Sequence, residues 1–132
     1  MVQDSGGIRR IQAESLKKNN CLLMLPSWRY LIPTGIIFDI PVGCYIKVHP
    51  RSGNALIKGL ITANNAGIID EDYVEECNCI MRNVSHTSIQ IDHGDRIVQA
   101  ELRRVESFRI DSLNARPKQK TERDGGFGST RQ

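Results

Sequence analysis

Three acidic residues in a row, Asp70, Glu71 and Asp72, follow the apolar run at 67–69 and are followed at once by Tyr73. Like charges repel, so a chain that ends a β-forming run this way needs a reason. One reason is a solvated turn, which tolerates charge. The other is a carboxylate held at the end of a stiff strand, kept ionised so that it can take a proton from a water. On the second reading Asp70 is the chemical group, and Glu71 and Asp72 are surface or local hydrogen-bonding residues. Other reactive side chains offer less. The cysteines at 21, 44, 77 and 79 lack the paired short spacings of a zinc site. Cys77 and Cys79 alternate onto one face of an expected strand, which fits buried thiols. His49, His86 and His93 have no spacing that would converge them and are expected to be surface or structural groups.

The elements that must position Asp70 are short and extended. Helical periodicity is nearly absent, and β-branched runs are punctuated by turn residues at close intervals, as in a sandwich or barrel. Pro33, Thr34, Gly35, Pro41 and Gly43 bracket strands of about five residues. Cys44, Ile46 and Val48 fall on one face of a half-buried strand, with Tyr45, Lys47 and His49 on the other. Further strands are expected at 60–63, 73–83, 88–91 and 96–105, the last two separated by the turn at 92–95. Only 52–59 reads as helical, with Ser52 as N-cap and Gly59 as the stop. Residues 6–20 read as a loop or a loosely held strand.

At 132 residues the chain makes one domain, so a larger active site requires several copies. The net charge of +3 is too small for a dedicated nucleic-acid binder. Eight of the 18 Lys and Arg lie within 103–132, a basic tail suited to a small polyanion. No apolar run reaches the roughly 20 residues of a membrane helix, and the first residues lack a secretory core, so no membrane association is expected. A cytoplasmic protein is expected, or one of the host-cell interior if the chain is viral. The expected organisation is a core over 1–115 and a flexible arm over 116–132. In the arm "GGFGST" joins hinges, one aromatic ring and phosphate donors.

Four segments, "HPRSGNALIKGL", "NNAGIIDEDY", "GDRIVQ" and "ERDGGFGST", with "IPTGIIFDIPVG" ahead of them, together resemble the trimeric dUTPase family. The resemblance implies an all-β jelly-roll with one short helix, assembled as a homotrimer whose active sites each draw on three subunits. It implies hydrolysis of dUTP to dUMP and pyrophosphate, with Mg2+ carried mainly by the substrate phosphates and water rather than by protein ligands. Asp70 is then the general base for water attack on the α-phosphorus. Tyr73 packs on the deoxyribose and leaves no room for a 2′-hydroxyl. The Asn64 amide reads uracil, helped by main-chain groups of the turn that ends at Gly67. Arg51 and Ser52 meet the phosphates, Gly53 lets the chain approach them closely, Gln99 adds a further phosphate contact, and Asp95 and Arg96 organise neighbouring segments. Arg123, Phe127, Gly128, Ser129 and Thr130 belong to the closing arm: the ring stacks on the base, and Arg123 with the two hydroxyls meets the γ-phosphate.

Departures from the family pattern leave alternatives. Where the first motif reads like "AGFDL", this chain has "DSGGIRR", keeping Asp4 and Gly6 but placing Ile8 or Arg9 where an aspartate is expected. Glu75 replaces a glycine, and the arm is one residue shorter between Arg123 and its glycines. The alternatives are a pyrophosphatase for another deoxynucleoside triphosphate, or a catalytically weakened regulatory trimer that binds nucleotide. Deamination of dCTP, known on the same fold, needs a glutamate where this chain has Ile80.

Overall fold

Alternation between apolar and polar side chains runs through most of the strands. The structure is a computed structural model that describes residues 6–126. Among them are nine strands: β1 Ile8–Arg10, β2 Cys21–Met24, β3 Arg29–Pro33, β4 Cys44–Pro50, β5 Leu60–Thr62, β6 Gly67–Asp70, β7 Asn78–Asn83, β8 Ile89–Asp92 and β9 Val98–Arg104. They form three sheets, ordered β1-β3-β7-β5, β2-β8 and β6-β4-β9. Every pairing is antiparallel except β1 with β3. The core is filled from alternate positions. Ile46 and Val48 are buried along β4, Cys79, Met81 and Asn83 along β7, and Met24, Tyr30 and Leu60 close the centre. The Tyr30 hydroxyl accepts the Leu25 N–H at 2.9 Å, so this buried phenol is not left unpaired.

The all-β reading is observed, with differences in detail. Residues 13–19, expected to be loop or loose strand, form a helix, α1 (Ala13–Asn19). Its residues are mostly good helix formers, but none is fully buried and only Leu16 packs against the core, so no apolar stripe announces it. The helical turn near 52–59 is present as a π-type turn, Asn54–Lys58. Ser52 is not its cap: Gly53 occupies that position and no side-chain cap bond forms. Gly59 does end it, at φ 71°. A Cβ there would also stand 2.9 Å from that of Ser85.

Two turns do something the sequence does not announce. The sequence at 64–67 reads as a tight hairpin turn; the turn lies at 63–66, and β5 belongs to the four-stranded sheet and β6 to the three-stranded one. The turn therefore carries the chain from one sheet to another. The turn at 92–95 likewise connects β8 and β9, which lie in different sheets. It is closed by the Asp95 N–H to the Asp92 carbonyl at 3.1 Å and by the Asp92 N–H to Asp95 Oδ2 at 2.9 Å. The strand expected from 73 begins only at Asn78, and the one expected from 96 begins at Val98.

After β9 the Val105 N–H bonds the Gly43 carbonyl at 2.9 Å. Residues 106–126 have no helix or strand and lie exposed, Phe108 and Ile110 at 82% and 84%. No helix among the described residues is long and apolar enough to cross a membrane.

Candidate functional site

The turn at 63–66 is built to present Asn64. Thr62, almost fully buried at the end of β5, donates its hydroxyl to the Asn65 carbonyl, and Asn65 takes the left-handed conformation at φ 63°. Gly67 opens β6 with no side chain; a Cβ there would lie 3.5 Å from both Asn64 Nδ2 and Val48 Cβ. Strand β6 then runs beside β4, from Gly67 opposite Val48 to Asp70 opposite Tyr45. Asn64, Gly67, Asp70 and Tyr73 line one cavity of about 260 Å³, floored by Val48 and bordered by Ile80.

The acidic triplet divides by task. The Asp70 carbonyl accepts the Tyr73 N–H at 3.0 Å, which closes a turn with Glu71 and Asp72 at its centre. Glu71 Oε2 accepts the Gly43 N–H at 2.9 Å. The Asp70 carboxylate is exposed and has no hydrogen-bond or ion-pair partner among the described residues. Tyr73 donates its hydroxyl to the Glu76 carbonyl at 2.9 Å, which fixes the ring against the cavity. Glu76 in turn accepts the Gly35 N–H at 2.6 Å. Neither Glu76 nor Thr62 stood out in the sequence, because each acts by holding the turn on which a better-placed residue sits.

Arg51 and Gln99 lie elsewhere. Arg51 lines a second cavity of about 230 Å³ with Lys58, Asp95 and Arg96. The Ala55 N–H bonds the Arg51 carbonyl at 2.9 Å, and Asn54 Nδ2 reaches the Arg96 carbonyl at 2.9 Å, so this corner is organised by backbone contacts from 51–55 and 95–96. Gln99 stands opposite His49 and its amide lies 3.4 Å from the Pro50 carbonyl, one residue before Arg51. Ser52 and Gly53 are exposed, and the Ser52 hydroxyl has no partner among the described residues. Beside Gln99, His49 Nε2 and Glu101 Oε1 are 2.8 Å apart, a pairing that sequence spacing did not reveal. That hydrogen bond is the main reason the Glu101 carboxyl lies below its ordinary range, with Arg103 assisting.

The two clusters sit at opposite ends of β4. Asp70 is opposite Tyr45, whereas Arg51 follows Pro50. Five residues of strand at about 3.4 Å each separate these ends by roughly 17 Å. A base and a serine that both serve one phosphorus must be within a few ångströms of it, so one chain does not bring Asp70 and Ser52 to a common phosphate. Arg123 is exposed, and among the described residues only its backbone enters hydrogen bonds, with Gln119 and Thr121. Asp4, Phe127, Gly128, Ser129 and Thr130 lie outside the described residues. In place of the first motif, Gly7 accepts the Arg29 N–H at 2.8 Å, and Ile8 and Arg9 form exposed β1. Among the described residues no three His, Cys, Asp or Glu side chains group to hold a metal.

The arrangement has relatives. The dUTPase family model matches residues 16–131. The chain is 40% identical over 109 residues to the deoxyuridine 5'-triphosphate nucleotidohydrolase of Treponema pallidum, a match covering 80% of this chain and 71% of that protein. Its fold is similar to the crystal structure of dUTPase from Streptococcus mutans, with a TM-score of 0.63, 26% identity and coverage of 70% and 76% of the two chains. It is also similar in fold to a dUTPase from phage phi11 of S. aureus described with a structural Mg(II) ion; the TM-score is 0.63, the identity 16% and the coverage 73% and 78%. A match spanning nearly the whole sequence, with relatives this similar over most of their own length, makes this chain a member of the dUTPase family.

Proposed function

We propose that the protein hydrolyses dUTP to dUMP and pyrophosphate, with Asp70 accepting the proton of the attacking water. The observation that carries this reading is the convergence of Asn64, Gly67, Asp70 and Tyr73 on one cavity, with the Asp70 carboxylate unengaged. At about 260 Å³ the cavity falls just below the range of about 300–1,000 Å³ usual for small-molecule sites. It suits a base and a sugar and leaves the triphosphate outside. The Asn64 amide offers a donor and an acceptor to O4 and N3–H of uracil. The Tyr73 ring, fixed through Glu76, excludes a 2′-hydroxyl by contact. Water oxygen bonds to the α-phosphorus as the bond to the bridging oxygen breaks; the proton passes to Asp70 and pyrophosphate leaves.

Arg51, Ser52 and Gln99 serve this reaction from a neighbouring copy, since their own Asp70 lies roughly 17 Å away along β4. Arg51 neutralises phosphate charge, Ser52 meets the bridging oxygen, and Gln99 supplies a further donor. The assembly is a homotrimer. Exposed Leu102, Phe108, Ile110 and Leu113 offer apolar surface to adjoining subunits. The segment 116–132 is an arm that closes over a neighbouring site, Phe127 on the base and Arg123, Ser129 and Thr130 at the γ-phosphate. Magnesium accompanies the triphosphate. Among the described residues no side chains of one chain form a cage for it, and no step is assigned to the ion. A substrate found inside cells puts the protein in the cytoplasm or a host-cell interior.

The test is pyrophosphate release from dUTP, dCTP, dTTP and UTP, with and without magnesium. Magnesium-dependent release from dUTP is expected, with a preference on the order of 100-fold over each competitor. Cleavage of dCTP or dTTP with dUTP untouched contradicts the role of Asn64 and leaves that of Asp70 standing. No release from any of them contradicts both.

A further inference from the structure

Hydrolysis leaves two groups of the same cavity without a task, Cys77 and Cys79. Both are buried, at 6% and 4% exposure, and both line the space that Asp70 and Tyr73 line. Their backbones are pinned. The Cys77 N–H bonds the Ile36 carbonyl at 2.8 Å, and its own carbonyl accepts the Thr34 N–H at 3.2 Å and the Thr34 hydroxyl at 2.7 Å. Cys79 is held in β7 opposite Ile32. Residues two apart on extended chain point the same way, so both sulfurs face one side. Each thiol acts on the other: the Cys79 thiol lowers the Cys77 pKa to about 7, against the effect of burial and of Glu76, and Cys79 itself is pushed up.

A direct disulfide does not suit this pair. Two residues of extended chain separate α-carbons by roughly 6.6–6.8 Å, at the outer edge of the window of about 4.4–6.8 Å that a disulfide accepts. A bridge longer by one large atom spans the gap without moving the backbone. We propose that Cys77 and Cys79 form a dithiol site for thiophilic trivalent centres of the aryl-arsenical class, and that capture there closes the cavity to other ligands. The reaction balances without an oxidant. Two arsenic–sulfur bonds form, the arsenic-bound oxygen leaves as water with both thiol protons, and arsenic stays trivalent. Among the described residues no third ligating side chain joins the pair, which matches a centre that needs two sulfurs and keeps its aryl carbon. Cys21 and Cys44 sit on β2 and β4.

The test uses the full chain and phenylarsine oxide. Intact mass should show one phenylarsenic group per chain, removed by dithiothreitol but not by a monothiol. Alkylation with iodoacetamide after unfolding in denaturant, followed by peptide mapping, should mark all four cysteines in the untreated protein but only Cys21 and Cys44 in the treated one, since burial at 6% and 4% then protects neither Cys77 nor Cys79. Cys77→Ser and Cys79→Ser should each lose uptake; should either fail to fold, the mapping of the unaltered chain decides. Most pyrophosphate release should be lost with uptake and return with dithiothreitol. Alkylation of Cys77 or Cys79 in the treated protein would overturn the site, and full turnover by the bridged protein would overturn the closure. For a chain that released no pyrophosphate from any nucleotide, slower uptake in the presence of dUMP would replace the turnover arm, and unslowed uptake would overturn closure.

Discussion

A carboxylate spent on structure cannot also move a proton, and the acidic triplet divides along that line. Glu71 holds the Gly43 N–H, whereas Asp70 has no partner among the described residues. Asp70→Asn should therefore lower turnover on the order of 10²–10⁴-fold while nucleotide binding, read by calorimetry, persists. Glu71→Gln, which keeps an acceptor for Gly43, should change turnover little. The His49–Glu101 pair makes a separate prediction about stability. The Glu101 carboxyl is held below its ordinary range in the folded protein, so its contribution is present above the unfolded-state value and is lost as pH falls through the lower folded value. Unfolding midpoints measured across the acid range should show that loss, and Glu101→Gln should flatten it. The place of Asp70 at the end of β6 was legible in the sequence because an apolar run that stops at a carboxylate is a local pattern. His49 with Glu101 was not, since the two meet only through the β4–β9 register.

At the scale of elements, the end of β7 ties the turn that follows it to the distant end of β2. Asn83 is fully buried and donates to the carbonyls of Met24 and Thr87 at 2.9 and 2.8 Å. Its side-chain oxygen accepts the N–H and the hydroxyl of Ser85 at 2.9 and 2.7 Å. Removing that amide strands the buried Met24 carbonyl and unties half-buried Ser85 and exposed Thr87, so Asn83→Ala should cost about 1–3 kcal/mol, read as a lower denaturant midpoint. The strands themselves were largely legible, because period-two alternation is local and both β4 and β7 show it. Their partners were not. The turns at 63–66 and 92–95 look like hairpin turns in sequence, but whether the chain folds back on its own strand or crosses to another sheet depends on which surfaces need covering. Helix α1 escaped for a related reason, since one partly buried leucine makes no periodic stripe.

At the scale of the whole molecule, β4 keeps Asp70 from Arg51 and Ser52 by roughly 17 Å, so catalysis by this account requires at least two copies. The four quoted segments named candidate site residues, but nothing in their order says that Asp70 and Arg51 stand at opposite ends of β4; that follows only from the strand register. The most direct measurement is activity in mixed oligomers. Asp70→Asn and Arg51→Ala chains, differently tagged, are each purified alone and also co-expressed and purified through both tags. Each variant alone should be nearly inactive. The mixed oligomer should recover a substantial fraction of normal turnover, because some of its sites join an intact Asp70 from one chain to an intact Arg51 from another. If the mixed oligomer forms yet works no faster than the two variants measured separately, the shared site and the roles assigned to both residues are contradicted.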